Sequence, residues 1–208
     1  MPQYGMVIDL KRCYGCYACV MACKVKNHTP PGVFWARILK GERGKYPNAM
    51  RQALPVLCMQ CEEPSCMEVC PTGATQKLDN GIVVVDKDKC MGCKYCMMAC
   101  PYGARYSVEK WESYFPEGIP LSVYEEFAKK YWEEHFGCGV ATKCDFCQDL
   151  LEEGKLPACV EACSAKARTF GDIEDLESEP SILIRQYRGE VLNPELGNQP
   201  KVYYLAPR

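Results

Sequence analysis

The sequence predicts an α+β chain built from two similar units, one inserted within the other, with long loops between them. Three observations predict it. Sixteen of the 17 cysteines fall into four local groups of four, and each group closes on the same Cys-x3-Cys spacing. Short β-branched runs lead directly into the first and third groups. The second and third groups are contiguous while the first and fourth flank them, so a unit made of the outer pair must enclose the unit made of the inner pair.

The elements follow in order. Met6-Val-Ile-Asp9 reads as a strand running into group one, Cys13-x2-Cys16-x2-Cys19-x3-Cys23. Group two is Cys58-x2-Cys61-x4-Cys66-x3-Cys70, followed by Pro71. Residues 73–78 and 81–86, joined by the turn Asp79-Asn80-Gly81, form a hairpin. It leads into group three, Cys90-x2-Cys93-x2-Cys96-x3-Cys100, followed by Pro101. A long connection, residues 101–143, comes next. Within it Ser122-x-x-Glu125 matches a capping box, and Val123, Tyr124, Phe127, Ala128, Tyr131, Trp132 and Phe136 recur at helical spacing. This is an amphipathic helix packed on its own domain or, on a second reading, a docking surface for a partner. Group four is Cys144-x2-Cys147-x11-Cys159-x3-Cys163. An acidic stretch, Asp172 to Glu179, opens a helix, and Lys201 to Leu205 forms a last strand.

The x3 spacing is about one helical turn. The fourth cysteine of each group is therefore expected at the start of a short helix, facing away from the other three. The expected units are 1–49 with 138–208, then 50–106, with 107–137 as an inserted helical segment.

Bulk properties exclude several classes. A formal net charge of −2 lacks the basic excess that nucleic-acid binding needs, so no nucleic acid is expected as a partner. No apolar run approaches the ~20 residues of a membrane span. The first residues lack a charged segment followed by an apolar one, so no signal peptide of the chain's own is expected. No dinucleotide fingerprint, P-loop or nucleophile–base constellation is visible, and the chain is expected to catalyse nothing by itself.

The cysteines carry the chemistry. Neighbours with only two residues between them cannot spread cross-links over a fold, but they can wrap one metal centre. Group four alone would pass as a zinc site; groups one and three would not, since zinc sites use two separated pairs. Cys-x2-Cys-x2-Cys-x3-Cys-Pro is instead the run of bacterial two-cluster ferredoxins, in which the last cysteine ligates the other cluster of the unit. A short loop supplies three corners of a cubane and turns its amides inward, but it does not easily reach the fourth. Both units are thus expected to be bacterial-ferredoxin-like, and the chain to bind four [4Fe–4S] clusters. The crossing rule yields four expected ligand sets: Cys13, Cys16, Cys19 and Cys163; Cys144, Cys147, Cys159 and Cys23; Cys58, Cys61, Cys66 and Cys100; Cys90, Cys93, Cys96 and Cys70. With so much chain in loops, folding is expected to depend on cluster insertion.

Other residues have plainer expectations. Cys138 is left over as a free cysteine. Tyr14, Tyr17, Tyr95 and Tyr102 lie beside ligands and would keep water off them. His28 and His135 are expected at the surface or an interface. Lys11, Arg12, Lys24 and Lys26 flank group one, either offsetting cluster charge or simply solvated.

On these motifs the chain resembles the four-cluster iron–sulfur subunits of the dimethyl sulfoxide reductase-type molybdopterin oxidoreductases. The resemblance runs from Met6-Val-Ile-Asp-Leu10 and Ala22-Cys-Lys24 through Cys70-Pro-Thr-Gly-Ala74 and Ala99-Cys-Pro-Tyr-Gly103. It ends with Lys143-Cys-Asp-Phe-Cys147, Pro157-Ala-Cys-Val-Glu-Ala-Cys163 and Thr169-Phe-Gly-Asp172. It implies an electron-transfer subunit bound to a molybdopterin (Mo or W) catalytic subunit and, in many relatives, to a quinol-interacting membrane anchor. It implies association with the membrane through those partners, on the periplasmic side by co-export or in the cytoplasm. By analogy the groups one and four half lies nearest the catalytic subunit. Some relatives carry Trp at the position of Cys93 and hold a three-iron cluster; Cys93 implies four irons here. Ser164 stands where relatives usually have Pro. A relay within a formate dehydrogenase or hydrogenase complex is the alternative function, and a structural zinc scaffold the third.

Overall fold

The structure is a computed structural model and describes residues 1–206. Its first half runs β1 (Tyr4–Asp9), α1 (Ala18–Asn27), β2 (Arg37–Arg43), β3 (Met50–Val56), α2 (Ser65–Glu68), β4 (Thr75–Lys77), β5 (Val83–Val85) and α3 (Tyr95–Ala99). Its second half runs β6 (Tyr106–Ser107), α4 (Val123–His135), β7 (Ala141–Thr142), α5 (Gln148–Glu152), α6 (Ala158–Glu161), β8 (Arg168–Asp172), α7 (Glu179–Tyr187), β9 (Glu190–Val191) and β10 (Val202–Leu205). The mixture of small sheets and short helices is the α+β class that the sequence predicts.

Both ends of the chain meet in one four-stranded sheet of order β8-β1-β10-β9. β1 pairs antiparallel with β8, Met6 opposite Phe170, and parallel with β10, Met6 opposite Val202. The sheet face is apolar because Met6, Ile8, Phe170, Val202 and Tyr204 are all buried. The expected hairpin is present as β4–β5, with Thr75 opposite Val85. A hairpin that sequence reasoning did not anticipate, β2–β3, pairs Arg37 with Val56 and spans the expected boundary at residue 49. Its outer half is exposed, so its strands lack the alternating pattern that marks a half-buried strand.

The helices correct one expectation. The third cysteine of each group, not the fourth, stands at the opening of the helix: Cys19, Cys66, Cys96 and Cys159 are each the second helical residue. Cys23 lies one turn further along α1, while Cys70, Cys100 and Cys163 lie just past helix ends. The cause is the residue that begins each helix. Tyr17 and Lys94 cap α1 and α3 in the left-handed conformation, and Pro64 and Pro157 cap α2 and α6. The x3 interval is then the helical turn itself. Pro71 and Pro101 cannot continue a helix. Ser164 makes the same turn after Cys163.

The long connection between groups three and four folds on α4. Ser122 and Glu125 form the expected capping box, the Ser122 hydroxyl accepting from the Glu125 amide at 3.3 Å and the Glu125 carboxylate accepting from the Ser122 amide at 2.9 Å. That carboxylate also accepts from the Ser113 hydroxyl and the Tyr114 amide, which pins the incoming loop. The helix packs on the domain through Ala128 and Trp132, and leaves Val123, Tyr124 and Phe127 exposed. Trp132 is fully buried among Trp35, Trp111 and Phe136, with ring centroids 6.0, 6.4 and 4.9 Å away. Trp132→Ala is expected to destabilise the iron-loaded chain by about 3–5 kcal/mol, the usual cost of deleting a buried Trp. The check is a guanidinium titration, in which the chain should lose its visible absorbance at a lower midpoint than wild type.

Candidate metal centres

The cysteine loops owe their shape to left-handed residues between ligands. Group one has Gly15 at φ 75° and Tyr17 at φ 65°, and group three repeats this with Gly92 at 73° and Lys94 at 64°. Gln60 and Phe146 take the same conformation in groups two and four. Left-handed residues between extended or right-handed ones turn successive amides toward one side, making a concavity suited to an anion. At Gly92 the reason for glycine is also steric, since a Cβ there would lie 2.3 Å from the Gly139 carbonyl oxygen.

The structure brings distant cysteines together. Cys13, Cys16, Cys19 and Cys163 line one cavity. Cys58, Cys61, Cys66 and Cys100 line another. Cys144 is surrounded electrostatically by Cys23, Cys159 and Cys147, and Cys96 by Cys90 and Cys70, with Cys93 on the same loop. No cysteine in the described chain is in a disulfide, so each grouped cysteine is a thiol standing for the thiolate that a metal would bind. Among the described residues no three His, Cys, Asp or Glu side chains converge closely enough to hold a single ion. The Cys13 and Cys58 sets instead each line a shared cavity.

Crowding and burial hold most of these thiols protonated unless a positive charge, such as a metal's, compensates them. Burial, reinforced by neighbouring thiols, pushes Cys61 up to about 12 and raises Cys23 and Cys144 as well. Cys147 is also raised to about 12 by burial, although the Ala158 amide opposes it. Near the surface the amides win. At Cys70 burial acts upward, but the Thr75 amide, the Thr72 hydroxyl and further amides bring it down to about 7. The Ala167 and Ala141 amides donate to Cys163 and Cys90 Sγ at 3.3 and 3.4 Å.

Three buried cations face these thiols, and sequence reasoning missed all three. Arg168 donates to Cys159 and Cys19, Arg105 donates to Cys66, and Lys143 is buried beside Cys144 with its ammonium on the Cys144 carbonyl at 2.6 Å. Arg105 Nε is buried with no hydrogen-bond partner among the described atoms, which fits a sulfur acceptor in the adjoining cavity. The one available signal was positional: Arg105 follows Cys100, and Arg168 follows Cys163, by the same five residues.

The other singled-out residues have structural roles. Lys24 does not float in solvent; its ammonium donates to Thr29 O, Pro30 O and Val33 O at 2.9, 2.8 and 3.3 Å and ties down the loop after α1. Lys26 pairs with Asp149. His28 packs on Phe127 and Tyr131 of α4. Cys138 packs against the core edge, outside the four sets. Tyr14, Tyr17 and Tyr95 are exposed beside their cysteines, while Tyr102 lines the cavity of Cys58 and Cys100.

The fold and these cysteine sets define an iron–sulfur protein, and a model described as a 4Fe–4S dicluster domain matches residues 50–115 and 125–173. The chain belongs to this family and, within it, groups with the iron–sulfur subunits of multi-subunit oxidoreductases. It is 43% identical to a subunit of the selenate reductase of Mesobacillus selenatarsenatis, over 98% of this chain and 72% of that protein. It is 40% identical to a subunit of the sulfite dehydrogenase of Allochromatium vinosum, over 100% and 85%. It is 36% identical to the arsenate respiratory reductase iron–sulfur subunit of a Shewanella species, over 98% and 96%. The chain is an electron-transfer subunit, not catalytic by itself, whose cysteines fit four [4Fe–4S] clusters. No helix among the described residues is long and apolar enough to cross a membrane.

Proposed function

We propose that the chain relays electrons between a donor, such as a quinol-linked membrane anchor, and a molybdopterin catalytic subunit, and that its ligands follow the four crossed sets. The observation that carries this reading is the sharing of cavities: Cys163 with group one, and Cys100 with group two. When bound, each cluster supplies one-electron chemistry at a potential set by charge, hydrogen bonds and solvent.

The residues between sets support an order. Arg168 stands between Cys19 and Cys159, Tyr106 feels both Cys23 and Cys100, and Arg105 acts on both Cys66 and Cys96. The Cys13 set is thus next to the Cys144 set, that one next to the Cys58 set, and the Cys90 set is last. Both terminal sets carry exposed apolar side chains, Tyr14 and Met21 at one end, Met91, Tyr95 and Met98 at the other. We read these as the contacts where electrons leave and enter, with the Cys13 end toward the catalytic subunit. The two ferredoxin-like lobes are then 1–49 with 138–208, and 50–106, one nested within the other.

Tagged chain isolated anaerobically from its native cells tests the proposal. It should co-elute with a larger subunit and about one molybdenum or tungsten per complex. Elution with a large subunit free of both metals would overturn it.

A further inference from the structure

We propose that Arg168 and Arg105 are paired potential-setting residues, each guanidinium shared between the two cluster sites of one lobe, so that each raises two reduction potentials at once. The proposal rests on the ligand sets given above.

Geometry carries it. Arg168 Nη2 lies 3.5 Å from Cys19 Sγ, and Nη1 lies 3.7 Å from Cys159 Sγ and 3.3 Å from Met6 Sδ. Arg105 Nη2 lies 3.0 Å from Cys66 Sγ, and Nη1 lies 3.0 Å from Thr75 Oγ1. The sulfurs addressed are equivalent: Cys19 and Cys159 are the third cysteines of groups one and four, Cys66 and Cys96 those of groups two and three. Arg168 lines the cavity of the Cys13 set and Arg105 that of the Cys58 set. The two arginines repeat one design in both lobes.

Charge completes the argument. Both side chains are buried, at 5% and 4% exposure. Neither is among the ion pairs of the described residues, all of which involve other cations. A buried cation without a carboxylate is expensive unless other anions surround it. Among the described residues, the groups these positions offer as anions are the cysteine thiolates and what they hold. Arg105 also hydrogen-bonds the Cys96 thiol of the other set in its lobe, as Arg168 does with Cys159. A fixed positive charge between two sites stabilises whichever form carries the extra electron. Removing it favours the oxidised form, so the potential falls.

The test uses the intact complex carrying Arg168→Gln, Arg105→Gln and the two Lys variants. Iron and sulfide content and a potentiometric titration followed by electron paramagnetic resonance are read for each. Each Gln variant should keep wild-type iron and lower two of four midpoints. The oxidised-to-reduced ratio at fixed potential should change about tenfold, or ~59 mV per one-electron couple. The two variants should move different pairs, and Lys should restore most of the shift. Full iron with no midpoint moved, or only one per variant, would overturn the proposal. If a Gln variant loses iron, the Lys variant decides: wild-type iron and midpoints support a charge role, and iron loss there shows mere packing. Failure of the ligand sets themselves shows separately, as a cysteine variant that empties the wrong site.

Discussion

Replacing Cys23 with alanine is expected to abolish the centre built on Cys144, Cys147 and Cys159 while leaving the one built on Cys13, Cys16 and Cys19 intact. Cys23 is buried, Cys159 and Cys147 act on it electrostatically, and the Asn27 amide nitrogen lies 3.5 Å from its Sγ. Iron per chain should fall by about a quarter, since one of four four-iron centres is lost. The reciprocal variant, Cys163→Ala, should spare the Cys144 set and remove the Cys13 set. In the proposed order the Cys144 set is internal, so Cys23→Ala should also drop donor-driven turnover of the complex to background. Electron paramagnetic resonance of the two variants distinguishes the sites. Loss of the Cys13 centre in Cys23→Ala would mean that each motif fills its own cluster.

Iron removal is expected to unfold most of the chain. Little regular structure stands by itself. β4–β5 and β6–β7 are two-stranded pairs of three and two residues, and α2 and α6 have four residues each. Isolated hairpins and single helical turns are marginal in water. Without metal the thiols that ring the cavities leave unfilled space, which destabilises in proportion to its volume. Ligand thiols also couple folding to metal, as in other small metal-dependent domains. Anaerobic chelation should therefore collapse the far-ultraviolet circular dichroism. It should also red-shift the fluorescence of Trp35, Trp111 and Trp132, all buried in the folded chain. A native-like spectrum after complete iron removal would refute this.

The cofactor type was legible because cysteine loops of this kind are encoded locally. Three cysteines on one short loop, with Gly15 or Gly92 between them, announce a metal loop without reference to the rest of the fold. The capping box of α4 and the β4–β5 hairpin were readable for the same reason: each is a contact within a few residues. The helix position was misread by one turn because Tyr17 and Lys94 carry no sequence mark of the left-handed conformation they adopt. The β2–β3 hairpin was not visible, since its exposed outer half has no apolar face to give a period.

The sequence by itself determined the four cysteine groups and their local wrapping, because spacing along a short loop decides which sulfurs lie together on that loop. Only the tertiary structure decided what lies between the sites. Arg168 reaches Cys19 across 149 residues of chain, and Gln60 bridges the Cys144 carbonyl and the Val83 amide. Such placements depend on β1 pairing with β8 and β10 at the two ends of the chain, a long-range contact that no local spacing encodes.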